Sequence, residues 1–263
     1  PPRSTRFPYT TLFRSIDGLK PVERRILLTA YEVARNKLTK SAKLVGHALA
    51  TYHPHGDLSV YGTMIKMVEG GYLYGDGNWG SKGISPDTAA AYRYTECKLE
   101  KWVEELAFKY IKYVPWENLE FENEPIALPS PIPLGLIGVD VIFGISFYRT
   151  LIPKYKLKDL ATRLSWLLQN PKPSVDQLSN EDTPNEVLGP IITPNFRNCH
   201  VQEMSPRTFL SLLIYGEGTI KAVPFGKIDK KVIVINGQVP GSNFDKLTNA
   251  ATFDSKTKKR ELE

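Results

Sequence analysis

Tyr94 directly follows Arg93 in the run Ala90-Ala91-Tyr92-Arg93-Tyr94-Thr95-Glu96. A tyrosine phenolate can act as a nucleophile and store a bond as a covalent intermediate. An adjacent guanidinium suits attack on phosphorus, because it can hold non-bridging oxygens as charge builds in the transition state. A tyrosine met in isolation is by default a buried aromatic, so the pair alone leaves both roles open. Upstream, Tyr52-His53-Pro54-His55-Gly56-Asp57 places two histidines in a Pro/Gly turn. Such a histidine could donate a hydrogen bond or carry a proton, or be no more than a turn residue. Lys20, Arg24 and Arg25 could neutralise backbone phosphates or form a solvated helix face. The glycine-rich run Gly75-Asp76-Gly77-Asn78-Trp79-Gly80-Ser81 lacks the lysine of a phosphate-binding loop and follows no apolar strand, so a nucleotide site is rejected.

The elements around these residues can be read from apolar spacing. Residues 21–37 read as a helix, with Pro21 in its first turn and Ile26, Leu27, Ala30, Tyr31 and Ala34 in one stripe. A second helix covers 41–50, with Leu44, Val45, Ala48 and Leu49 inward, and a third covers 59–69, with Val60, Met64, Met67 and Val68 on one face. Two short helices joined by a tight turn in a basic region suggest helix-turn-helix geometry, although a plain helical hairpin has the same pattern. Residues 89–94 are ambiguous between strand and helix. Thr95 is placed as the cap of a helix reaching about Tyr110, with Leu99, Val103, Leu106 and Ala107 inward. Prolines at 125, 129, 131, 133 and 153 then mark a new domain. Residues 157–168 read as a helix, 169–189 as a loop, and 219–225 with 231–236 as a hairpin.

The chain has 263 residues, enough for two domains with sizeable cores. Its net charge of +6 invites a nucleic-acid reading. That balance is inflated by residues 1–15. Their run TRFPYTTLFRS differs by one residue from the conceptual translation of a short-read sequencing adapter, and 1–15 are read as that artefact rather than as a basic arm. Setting aside Arg3, Arg6 and Arg14 leaves 31 of the 34 basic residues against 28 acids. The distribution says more: residues 16–50 hold seven Lys or Arg against three acids. Cys97 and Cys199 make neither a disulfide framework nor a zinc site, and fit a reducing interior. No apolar run is long enough for a membrane span, and no secretory signal is expected.

Four segments carry a resemblance to the DNA-cleaving A-subunit of type IIA DNA topoisomerases, the family of the DNA gyrase and topoisomerase IV A-subunits. They are Asp17-Gly18-Leu19-Lys20-Pro21-Val22-Glu23-Arg24-Arg25, then Lys40-Ser41-Ala42-Lys43-Leu44-Val45-Gly46 leading into the histidine turn, then Gly77-Asn78-Trp79-Gly80-Ser81, and finally the motif around Tyr94. Each is weak alone; their shared order and spacing is a strong signal. The resemblance covers residue 16 to about 153. It implies an α+β fold, with a winged-helix (helix-turn-helix) domain over 16–118 followed by a mixed tower-like domain over 119–263, truncated at its C-terminus.

The resemblance also implies roles. Tyr94, not Tyr92, matches the nucleophile, which forms a 5′-phosphotyrosyl link. Arg93 and His55 are its catalytic companions, and Lys20, Arg24, Arg25, Lys43 and His53 are DNA-binding. A DNA-bending wedge between base pairs falls on Ile145 by its Gly-Ile context, with Phe143 the alternative by counting from Pro133. Mg²⁺ and ATP are expected to be handled mainly by a partner, the metal-binding and ATP-hydrolysing B-subunit. Two copies of this chain form a heterotetramer with it on double-stranded DNA in the cytoplasm. Two other classes stay open: a winged-helix DNA-binding protein that does not cleave, and a fragment without activity. In the family, quinolone drugs are anchored by a serine directly after the histidine-turn aspartate and by an acid four residues further on; Leu58 and Gly62 stand there in this chain.

Overall fold

The computed structural model describes residues 16–53, 56–80, 88–119, 122–145, 149–170, 185–229, 232–237 and 239. The adapter-like run 1–15 and His55 lie outside them.

Three helices form the first layer: α1 (Pro21–Val33), α2 (Ser41–Thr51) and α3 (Asp57–Glu69). Each buries the stripe its sequence announces. Ile26, Leu27 and Ala30 of α1 meet Leu44, Val45 and Ala48 of α2 and Val60, Met64 and Met67 of α3 in one core. Tyr31 is only partly buried, and its ring stacks on Phe108 at 4.3 Å. The start of α1 is closed by its own third residue, as Glu23 accepts a 2.8 Å bond from the Lys20 amide.

A three-stranded antiparallel sheet covers this layer, in the order β1 (Thr39–Lys40), β3 (Glu96–Leu99), β2 (Leu73–Asp76). The central strand replaces the helix expected from Thr95. Residues 96–99 alternate, with Cys97 and Leu99 buried, and the Leu99 amide donates to Ala34 O at 2.9 Å. The same Leu99 and Val103 fit a helical stripe, so periodicity alone could not separate the two. Helical structure begins only with α4 (Lys101–Val103) and a wider turn over Glu104–Phe108.

The chain continues through three antiparallel hairpins. β4 (Trp116–Leu119) pairs with β5 (Glu122–Pro125), and β6 (Val141–Ile145) with β7 (Arg149–Pro153). The third joins β10 (Gly226–Asp229) to β11 (Val232–Ile235). The expected hairpin of 219–225 with 231–236 is therefore displaced: β9 (Ala222–Pro224) pairs instead with β8 (Cys199–Val201). Between the second and third hairpins lie α5 (Leu157–Gln169) and an unforeseen helix, Pro206–Tyr215, capped by Ser205, whose hydroxyl oxygen accepts from the Thr208 amide. The architecture is α+β. Beyond residue 118, Leu128, Ile132, Leu134, Ile137 and Leu160 join the core of the three helices.

A buried ion pair fastens this joint. Arg24 is 0% exposed, although expected on the DNA face. Its Nε donates to Asp17 Oδ2 at 2.7 Å and its Nη2 to Asp17 Oδ1 at 2.9 Å. Asp17 also accepts from the amides of Leu19 (3.0 Å) and Leu128 (2.9 Å). The phosphate-binding role expected of Arg24 is thus corrected, because a guanidinium enclosed in the core has no reach to a ligand. Asp17→Asn leaves that cation uncompensated. We expect a loss of about 3–5 kcal/mol in unfolding free energy by urea denaturation; a loss under about 1 kcal/mol, the scale of an exposed pair, would refute the assignment.

Candidate active site

Residues 90–95 form neither strand nor helix but a turn pinned at both ends. The Ala90 amide donates to Asn78 O at 2.9 Å, and Ala90 O accepts from the Tyr61 hydroxyl at 2.6 Å. At the other end the buried Thr95 donates its hydroxyl to Ser41 Oγ at 2.8 Å, while its carbonyl accepts from the Ser41 amide at 2.9 Å. Tyr94 N closes the turn onto Ala91 O at 2.9 Å. The resembling segments are thereby joined: Ser41 begins α2, Tyr61 belongs to α3, and Asn78 comes from the glycine loop.

This turn treats its two tyrosines differently. The Tyr92 hydroxyl donates to Asp57 Oδ2 at 3.1 Å, and its ring packs edge-on against Tyr61 at 5.6 Å. The bond to Asp57 and the charge of that carboxylate push the Tyr92 phenol above its ordinary pKa; burial does the same to Tyr61. Tyr94 is 63% exposed, with the Arg93 guanidinium 4.6 Å from its ring centroid. Its hydroxyl has no hydrogen-bond partner among the described residues. The arrangement can present one phenol and one guanidinium together to a ligand from solvent.

The other expected site residues divide into two groups. Lys43 is exposed and Lys20 half-buried, so both remain available to a ligand. Arg25 is only 8% exposed: its Nε donates to Glu124 Oε2 at 2.6 Å and its Nη1 to His53 Nδ1 at 2.9 Å. Two protein partners thus hold the guanidinium that was expected on a DNA backbone. His53, 5% exposed, lies beneath the surface. Ile145 ends β6 opposite Arg149, and its side chain lies outside those described. Spacing gave no sign of Asp57, Tyr61, Thr95 or Glu124, since their roles depend on partners 29 to 99 positions away. No group of three His, Cys, Asp or Glu side chains among the described residues could hold a metal ion. No helix among them is long and apolar enough to cross a membrane.

Comparison with known proteins bears on this arrangement. Residues 12–250 match the family profile of the DNA gyrase/topoisomerase IV A-subunit. The DNA gyrase A-subunit of Clostridium acetobutylicum is 35% identical over 174 residues, covering 62% of this chain and 20% of that protein. The DNA topoisomerase 4 A-subunit of Salmonella typhimurium is 37% identical over 195 residues, 68% of this chain and 25% of that protein. The chloroplastic/mitochondrial DNA gyrase A-subunit of Nicotiana benthamiana is 37% identical over 180 residues, 62% of this chain and 18% of that protein. The chain belongs to the DNA gyrase/topoisomerase IV A-subunit family. It spans about a fifth to a quarter of the length of these relatives.

Gly77 backs the turn. Its φ of +93° suits glycine, and a Cβ there would lie 3.2 Å from Tyr94 O. Gly71, at φ +77°, faces open space. Both variants carry the strain of a side chain at positive φ, about 1–3 kcal/mol, and Gly77→Ala should destabilise more than Gly71→Ala because only its Cβ meets Tyr94 O. Equal unfolding free energies for the two variants would show that Gly77 does not support the turn.

Proposed function

We propose that this chain is part of the cleavage subunit of a type IIA topoisomerase and that Tyr94 makes transient double-strand DNA breaks. The observation that carries this reading is the contrast within one rigid turn: Tyr94 is exposed beside Arg93, whereas Tyr92 is tied to Asp57. The Tyr94 phenolate attacks a backbone phosphorus, the bond from phosphorus to the 3′ oxygen breaks, and the leaving 3′ alkoxide takes a proton. Arg93 holds non-bridging oxygens of the pentavalent state, and His55 serves as hydrogen-bond donor or proton carrier. Reversal returns the stored bond to the 3′ hydroxyl, so cleavage and religation need no outside energy.

The three helices and the sheet β1-β3-β2 support a winged-helix reading, with the wing formed by β2 and β3. Lys20 and Lys43 belong to its DNA-facing side, His53 supports that side from beneath the surface, and Ile145 on β6 is the proposed wedge. We place the winged-helix domain at 16–118 and a tower-like domain at 119–263. The complete enzyme is a dimer of this cleavage chain joined to a second, ATP-hydrolysing B-subunit, working in the cytoplasm. Mg²⁺, held mainly by that partner, would neutralise charge on the reacting phosphate.

Tyr94→Phe in the complete protein, reconstituted with its partner, should abolish covalent protein–DNA trapping and leave DNA binding largely intact. Undiminished trapping, with loss in Tyr92→Phe instead, would sink the assignment. Trapping by neither wild type nor variant, with binding intact, would favour a winged-helix protein that does not cleave.

A second outcome follows from α3. Leu58 is 78% exposed and offers no acceptor, and Gly62 offers no side chain. The waters of a drug-bound Mg²⁺ then lack both protein anchors. Each lost hydrogen bond to a charged group costs about 1.5–3 kcal/mol, or tenfold or more in affinity. Quinolones should therefore stimulate cleavage only weakly. A Cβ at Gly62 meets nothing within 4 Å, so Leu58→Ser with Gly62→Asp fits sterically and should raise sensitivity. Strong stimulation of the wild type, or no gain in the double variant, would contradict this.

A further inference from the structure

Glu124 lies on β5, 99 positions from Arg25. It is 2% exposed, and its carboxylate accepts from Arg25 Nε at 2.6 Å. The other branch of the same guanidinium donates to His53 Nδ1 at 2.9 Å. Arginine has donors only, so Nδ1 must accept, which places the ring proton of neutral His53 on Nε2. The chain of bonds runs carboxylate to guanidinium to imidazole with all three groups buried. Such a buried ion pair brings little net stability over an apolar replacement. What it supplies is a fixed geometry, because Arg25 cannot turn away from His53 without abandoning Glu124.

We propose that Glu124 is a positioning residue for the active site: through Arg25 it fixes the ring of His53 as the Nε2–H tautomer. His53 also donates its amide to Ala48 O at 2.8 Å. Backbone and ring together thus lock the exit from α2. Four residues later Asp57 begins α3 and receives Tyr92. Glu124 therefore acts on His53 through Arg25, while Tyr92 holds Asp57, and Glu124 does so without itself touching DNA. For its catalytic consequence the inference rests on the proposed function; for the tautomer it does not.

The test has two arms. In the first, NMR correlations between ring nitrogens and ring protons are recorded on the isotope-labelled chain. Wild-type His53 should show a single Nε2–H tautomer. Glu124→Ala should give a mixture, and Glu124→Gln, which keeps an oxygen acceptor without the charge, a smaller change in the same direction. A wild-type Nδ1–H tautomer, or no change in either folded variant, overturns the proposal. Should Glu124→Ala fail to fold, the Gln variant decides alone. In the second arm, the complete reconstituted enzyme is assayed for covalent cleavage and DNA affinity. Glu124→Ala should slow cleavage by about 10- to 100-fold, the scale of outer hydrogen-bond partners to functional histidines, with affinity little changed. Its effect should be strongly non-additive with that of His53→Gln. Additive effects, or equal losses in cleavage and affinity, overturn the proposal. Trapping that survives Tyr94→Phe would instead count against the proposed function while leaving the tautomer result standing.

Discussion

The ion pair of Asp17 with Arg24 sets the conditions for the rest of the fold. A carboxylate and a guanidinium at 0% exposure are tolerable only when each is paired and hydrogen-bonded. Asp17 meets that demand with two guanidinium nitrogens and the amides of Leu19 and Leu128. One of these partners lies two residues away and another 111 residues away. The carboxylate therefore fixes the start of α1 and, in the same stroke, draws the segment after β5 onto the helical layer. Its carbonyl adds a 2.9 Å bond from the Gly135 amide, which brings the short turn Leu134–Leu136 to the same place. The arginine is not fully satisfied, as its Nη1 has no partner among the described residues. That residual cost is carried by a site whose other bonds are short and enclosed.

Consecutive arginines on a helix point about 100° apart, since each residue advances 1/3.6 of a turn. Arg24 and Arg25 use that difference. One reaches back to Asp17, and the other reaches Glu124 and His53. Residues 124–128 thereby serve both, through the Glu124 side chain and the Leu128 amide. A short stretch late in the sequence thus orders the two ends of the early helical layer, the start of α1 and the end of α2. This is why the helical unit and the chain beyond 118 share one core rather than meeting at a surface.

The same geometry explains what could be read from the sequence. Helices α1, α2 and α3 were legible because their apolar residues recur at helical spacing and the structure buries those stripes. The motif around Tyr94 was legible because its neighbours in sequence are also its companions in space: Arg93 lies over the ring. Strand β3 was not, because Leu99 and Val103 satisfy both periods and the choice is made by pairing with β1 and β2. The burial of Arg24 and Arg25 was not legible for a related reason. Two arginines on a helix in a basic region look like phosphate ligands, and their carboxylate partners lie elsewhere in the sequence. The helix Pro206–Tyr215 was missed although Ser205 caps it and Pro206 opens it, both of which are start signals.

Helix α3 connects the candidate site to the β6–β7 hairpin. At about 1.5 Å per residue, its 13 residues span roughly 20 Å. At its start Asp57 accepts from Tyr92, two residues before Tyr94. At its end Arg197 Nη2 donates to Glu69 O at 3.1 Å, capping the helix with positive charge where the carbonyls lack partners. The Arg197 amide donates to Asp140 Oδ1 at 3.0 Å, and Asp140 directly precedes β6. Asp140 has a φ of +68°, a left-handed conformation that aspartate tolerates better than bulkier residues do. It is held there by bonds on both sides: its amide donates to Asn195 O at 2.8 Å, and its carbonyl accepts from Lys154 N at 2.9 Å, the first residue after β7. Both strands of the hairpin are thus anchored at one root, and that root is tied to the far end of the helix that begins beside Tyr92. The root of the hairpin and the turn of Tyr92 are thus held at the two ends of one helix, although Tyr94 and Ile145 are 51 positions apart in the chain.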